Sequence, residues 1–184
     1  MKKWLAFALS VLILAAVHEG THALVAAGYG EFSSARFVPP GIEIIFTTPL
    51  EEREGLQRVF IAGGANVSTI GLGYLLLSFR HRLATVHSLM VRGTFYYTTF
   101  LALVMDPLNL SIGPFLYGGD LGGIAMGLFV PPILLQLVFG ILLVVNRELV
   151  AQVLLPAYGV VTNHLLVRPW FKLGSHTGNR RPAV

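Results

Sequence analysis

The stretch WLAFALSVLILAAVHEGTHALVAA, residues Trp4 to Ala27, decides how the chain is read. It is apolar over about the length that one helix needs to cross a bilayer. Within it stand His18, Glu19 and His22, in the order His-Glu-Gly-Thr-His. Residues four apart on a helix share a face, so His18 and His22 present both imidazoles in one direction. Glu19 adjoins His18 and lies about one turn from His22, where it reaches a water held by the same ion. Two neutral imidazoles and a carboxylate that takes a proton from water are the parts of an HExxH zinc site. A chance HExxH arises in roughly one such chain in a hundred. The bland reading is a pair of packing histidines with a hydrogen-bonded glutamate. Ionisable groups at membrane depth are costly and usually functional, which favours the metal.

The rest of the composition agrees with a membrane setting. The chain is 54% hydrophobic and 12% charged, with a mean hydropathy of +0.71, whereas soluble domains carry about 25% charge. An integral, multi-pass protein of a prokaryotic cell membrane is expected, with the lipid bilayer as its surround. Residues 1–173 read as a single integral membrane domain and 174–184 as a disordered polar tail. There is no cysteine, which removes disulfides and thiolate ligands. The basic residues fall between apolar runs, so lipid-facing topology explains the pI near 9.7 and no nucleic-acid partner is implied. Lys2 and Lys3 ahead of an apolar run resemble a signal peptide, but the run passes the histidines, so a retained first helix is expected.

Along the chain, Glu31 to Thr48 is rich in Phe, Ile, Val and Thr and is divided by Pro39-Pro40-Gly41, which predicts two short strands and a turn. Glu51-Glu52-Arg53-Glu54 reads as a solvated loop. It fails the EExxxR pattern of glutamate-type membrane proteases, because the next arginine is Arg58. A second helix is expected from Leu56 to Phe79, with small residues for close packing and Asn66 either as helix–helix glue or as part of a site. Arg80-His81-Arg82 reads as a polar loop. A third helix, Leu89 to Met105, is expected to end at Asp106-Pro107. Asn109 to Gly119 reads as irregular, Asp120 opens a fourth apolar segment, and Ile133–Val145 and Leu149–Val167 read as a fifth and a sixth helix. The predicted fold is therefore an all-α polytopic membrane protein of about six transmembrane helices, with a short β-hairpin between helices 1 and 2. Six crossings put nine Lys and Arg with Lys2 and four opposite, which makes the side of Lys2 cytoplasmic.

Two histidines and a water leave a tetrahedral zinc one ligand short. The two aspartates, Asp106 and Asp120, both fall at ends of apolar segments. His164 reads as interfacial. With HEGTH in a membrane helix, an extended segment, an Asn-bearing small-residue helix and an Asn/Pro/Gly stretch leading to aspartate, residues 4–130 resemble the site-2 protease family of intramembrane zinc metalloproteases.

That resemblance implies Zn2+ as cofactor, His18 and His22 as metal ligands, Glu19 as catalytic base and Asp120, in GGDLGG, as third ligand. Leu121 stands where the family usually has glycine, and Asn109 to Pro114 is longer than the family's Asn-x-x-Pro, so Asp106 stays an alternative ligand. Ala62-Gly63-Gly64-Ala65-Asn66 lacks the family's proline. The family also places zinc nearer the cytoplasm, opposite to the charge count, so both orientations stay open.

The expected function is hydrolysis of peptide bonds in membrane-embedded or membrane-proximal segments of a membrane-protein substrate. Asn66 is expected to help hold the substrate backbone, and the 35–47 hairpin to pair with the unwound segment by strand addition. The alternatives are a zinc or divalent-metal transporter using Glu19 as a ligand, a haem-binding or structural subunit, and an inactive family member.

Overall fold

The computed structural model describes residues 2–38, 41–116, 119–162, 164–165 and 167–171. The Pro39-Pro40 turn, His176 and the expected 174–184 tail lie outside the described residues. Helix α1 covers Lys2–Gly28 without a break at the HEGTH motif. The extended segment forms strands β1 (Phe32–Val38) and β2 (Gly41–Phe46). They pair antiparallel, with Arg36 opposite Glu43 and Phe37 opposite Ile42. Glu31 anchors the hairpin base: its carboxylate accepts from the Thr48 backbone and hydroxyl, each at 3.0 Å, and from Gln57 at 3.3 Å. A short turn at Leu50–Glu52 leads into α2 (Gly55–Ser78).

Helix α2 is the hub, and its glycines are the reason. A Cβ added at Gly63 would lie 3.3 Å from Ile124, at Gly64 3.3 Å from Val25, and at Gly73 3.1 Å from Leu103. Each glycine thus admits a different neighbour at a distance that larger side chains forbid. These neighbours lie on α5 (Asp120–Leu128), on α1 and on α4 (Leu89–Ser111). Helices α1 and α4 run parallel, since Ser10 Oγ donates to the Thr94 carbonyl at 3.0 Å near one end and His18 lies beside Asp106 near the other.

Several expected boundaries move. Arg80-His81-Arg82 belongs to a short helix, α3 (Arg80–Ala84), rather than to a loop. Helix α4 does not stop at Asp106-Pro107 but continues to Ser111. Pro107 has no N–H, so the Leu103 carbonyl one turn back loses its usual donor. Asn146 supplies a replacement, its Nδ2 donating to Leu103 O at 2.7 Å while its Oδ1 accepts from the Tyr74 hydroxyl at 2.5 Å.

The expected fifth and sixth helices are one, Pro132–Ala157, here α6, which passes through a π-helical turn at Val150–Leu154. Asn146-Arg147-Glu148 looks like a loop in the sequence but is helical, with Asn146 and Glu148 fully buried. Glu148 accepts from Gln152 at 2.7 Å, from the Trp170 backbone at 3.1 Å and from Arg147. Arg147 also donates to the Arg168 carbonyl, so it stands with Arg168 and not on the opposite side, as six crossings required.

Three helices, α1, α2 and α6, are long and apolar enough to cross a membrane, so six are not shown. Helix α5 has nine residues, about 14 Å, too short to span. Helix α4 is long enough but carries Thr94, Thr98, Thr99 and Asp106 on its buried side. Large apolar residues such as Leu12, Leu24, Leu137 and Ile141 point outward, whereas Ser10, Asn66, Thr99 and Asn146 are buried. A lipid surround favours that distribution.

The Pro107–Asn146 pairing is testable by a double-mutant cycle on thermal unfolding in detergent. Asn146→Leu leaves the Leu103 carbonyl unpaired and is expected to cost about 1–3 kcal/mol. In a Pro107→Ala background the residue 107 N–H returns, and the loss should shrink by about 1 kcal/mol or more. Equal losses in both backgrounds would refute the pairing.

Candidate metal centre

One polar layer crosses the bundle between two apolar clusters. Leu77, Leu103, Val150, Leu154 and Leu155 pack on one side of it, and Ala62, Leu110, Leu121 and Ile124 on the other. In the layer, α1 brings His18, Glu19 and His22, α2 brings Asn66 and Thr69, α4 brings Asp106, and α5 opens on Asp120.

His22 is set by backbone. Its Nδ1 lies 2.7 Å from the Ile61 carbonyl oxygen, which only accepts, so Nδ1 carries a proton, and in the neutral ring Nε2 keeps its lone pair. His22 Nε2 and His18 Nε2 each lie 3.5 Å from the same oxygen, Asp120 Oδ2. One donor atom from each of His18, His22 and Asp120 lies within 4.8 Å of the other two. Asp120 comes from the start of α5, directly after Gly119, whose φ of 107° is a backbone angle that L side chains rarely adopt. Asn66 Nδ2 donates to Asp120 Oδ2 at 2.9 Å and to the Ala62 carbonyl at 3.2 Å.

The structure therefore brings together four of the five residues singled out in the sequence around one point, with Glu19 beside them. Asn66, expected to help hold the substrate backbone, is buried, with its amide nitrogen on Asp120 and its Oδ1 without a hydrogen-bond partner. Asp106, the alternative ligand, lies on the far side of the His18 ring, 3.6 Å from Nδ1. Thr69, which the sequence reading passed over, donates its hydroxyl to Asp106. It sits three residues after Asn66, on the same helix face, and that spacing was its only signal.

A cleft of about 680 Å3 opens over the group, with His18, Glu19, His22 and Asp120 along one wall and Ile42 to Phe46 of β2 along another. The sheet has two strands, so the second edge of β2 has no strand partner among the described residues. A second cavity, of about 360 Å3, lies between α1 and α4 and reaches His18, Glu19 and Asp106.

The donor set fits a zinc or similar borderline ion: two neutral imidazole nitrogens and one carboxylate, with a cleft at the position left over. Comparison of the chain with family models, with curated proteins and with solved structures found no match.

The close seat of α5 on α2 delivers Asp120 and is open to test. A Cβ at Gly127 would lie 2.6 Å from Val59 Cγ2 and 2.7 Å from the Gly55 carbonyl, whereas one at Gly122 meets nothing within 4 Å. Gly127→Ala should destabilise the protein in detergent by about 1–3 kcal/mol. Gly122→Ala should be neutral or stabilise by up to ~1 kcal/mol. A neutral Gly127→Ala would rule out the tight α2–α5 contact.

Proposed function

We propose that the protein is an intramembrane zinc metalloprotease, similar to the site-2 protease family, that hydrolyses peptide bonds in membrane-embedded or membrane-proximal segments. The observation that carries this reading is the convergence of His18 Nε2, His22 Nε2 and Asp120 Oδ2 beside Glu19 on one wall of a cleft. His18, His22 and Asp120 would hold the ion. When bound there, zinc supplies Lewis acidity, which makes water a stronger acid and a carbonyl carbon a better electrophile.

Glu19 is the general base. It lines the cleft but stands outside the three-residue donor group, which suits a proton carrier better than a ligand. As the water oxygen bonds to the scissile carbon, Glu19 takes its proton. It then returns that proton to the amine nitrogen as the carbon–nitrogen bond breaks. Asn66 holds the Asp120 carboxylate, and Ile61 holds His22, so neither group has to reorganise during the step.

A helical substrate hides its peptide bonds in its own hydrogen bonds, so the segment must be extended before attack. Strand β2 lines the cleft and has one edge without a strand partner among the described residues, which supports pairing with that segment by strand addition.

Zinc per chain in purified protein tests the centre. Wild type and Glu19→Gln are expected to carry one zinc, and His22→Ala and Asp120→Asn to lose it. Loss in Glu19→Gln would instead make the glutamate a ligand and favour a transport or storage site, and no zinc in folded wild type would end the enzyme reading. For the strand, Ile44→Pro should lower cleavage of a membrane-segment reporter by about tenfold or more while leaving zinc in place. Undiminished cleavage would dismiss strand addition.

A further inference from the structure

We infer that Asp106 is a positioning residue, which holds His18 through the ring nitrogen that the metal does not use. Pro107, Asn146 and Tyr74 keep it in place. The inference rests on the metal reading above and assigns a part to a buried carboxylate that the reading leaves idle.

The two histidines are arranged alike. Each turns Nε2 toward Asp120 Oδ2, at 3.5 Å, and each turns Nδ1 toward an oxygen outside the donor group. For His22 that oxygen is the Ile61 carbonyl at 2.7 Å, and for His18 it is Asp106 Oδ1 at 3.6 Å. A ligating imidazole that gives its other N–H to a carboxylate or carbonyl is fixed in tautomer and in ring orientation, and becomes a stronger donor to the ion. The 3.6 Å separation is longer than a formed hydrogen bond.

Asp106 is itself held. It is 7% exposed, and its Oδ2 accepts the Thr69 hydroxyl, whose oxygen is also 3.0 Å from the Ala65 carbonyl. Its backbone depends on the next residue. A residue before proline is disfavoured in the helical region, yet α4 stays helical through Asp106 and Pro107. The Asn146 amide satisfies the Leu103 carbonyl that this proline would otherwise strand, and the Tyr74 hydroxyl, donating to Asn146 Oδ1, holds that amide in place. The geometry thus runs from α6 through α4 to the His18 ring on α1.

The test is zinc affinity of the full chain in detergent, by competition with a chromophoric chelator, together with the visible spectrum of the cobalt(II) form. Asp106→Ala should keep one metal per chain and a four-coordinate cobalt spectrum while binding zinc about 10–100-fold more weakly. Asp106→Asn keeps an oxygen acceptor and should restore part of that loss, which a merely structural role would not do. Thr69→Val leaves Asp106 in place and removes its hydroxyl partner, and should weaken binding about threefold, which keeps the test open if Asp106→Ala does not fold.

Loss of the metal in both Asp106 variants, as expected for Asp120→Asn, would make Asp106 a ligand and overturn the inference. Unchanged affinity in Asp106→Ala, or in Thr69→Val where Asp106→Ala does not fold, would overturn it as well. Both results leave the metal reading standing. Wild type without zinc would overturn that reading itself.

Discussion

The hydrogen bond between His22 Nδ1 and the Ile61 carbonyl turns a sequence motif into a site. It requires the α1 face to approach the α2 backbone, and the approach requires Gly64, where a Cβ would press on Val25 at 3.3 Å. The small residues of α2 and the histidines of α1 are therefore one constraint. The same helix then places Asn66 against Asp120 and Thr69 against Asp106. A change that pushed α1 off α2 would lose the tautomer of His22 first and the shape of the cleft second.

Polar groups in an apolar surround are costly unless they are paired, and pairing organises most of the interior, with Asn66 Oδ1 and Thr98 Oγ1 as exceptions. The apolar clusters above and below the polar layer keep it narrow, so its members find one another. Pairing also lets the helices ignore local signals. Pro107 sits inside α4 because Asn146 takes over the orphaned carbonyl, and Glu148 sits inside α6 because Gln152, Arg147 and the Trp170 backbone surround its carboxylate.

These long-range partnerships mark the boundary of what the sequence disclosed. Helix α1, the hairpin and the bounds of α2 to within a residue were legible, because each is written in local periodicity, β-rich composition or turn residues. The approach of His18 to His22 followed from their spacing. The continuation of α4 through a proline was not legible, since its compensation comes from Asn146, 43 positions after the Leu103 carbonyl that it satisfies. The helical course of Asn146-Arg147-Glu148 was hidden for the same reason, and it inflated the helix count. Asn66 was recognised as a polar group in need of a partner. That the partner would be Asp120, 54 residues on, is a fact of packing rather than of pattern.

The delivery of Asp120 has a physical account of its own. Leu121 is 3% exposed and packs with Ala62, Leu110 and Ile124, while the preceding Asp120 turns toward the histidines. One residue of α5 thus anchors the helix in the apolar cluster and its neighbour supplies the polar layer, and the small Ala62 on α2 leaves room for the leucine. The Asn109–Pro114 stretch is taken up by the last turn of α4 and by the short turn at Gly113–Phe115, and Gly119 directs the chain into α5. The direction of the Asp120 carboxylate is therefore set by packing on one side of it and by the Asn66 amide on the other.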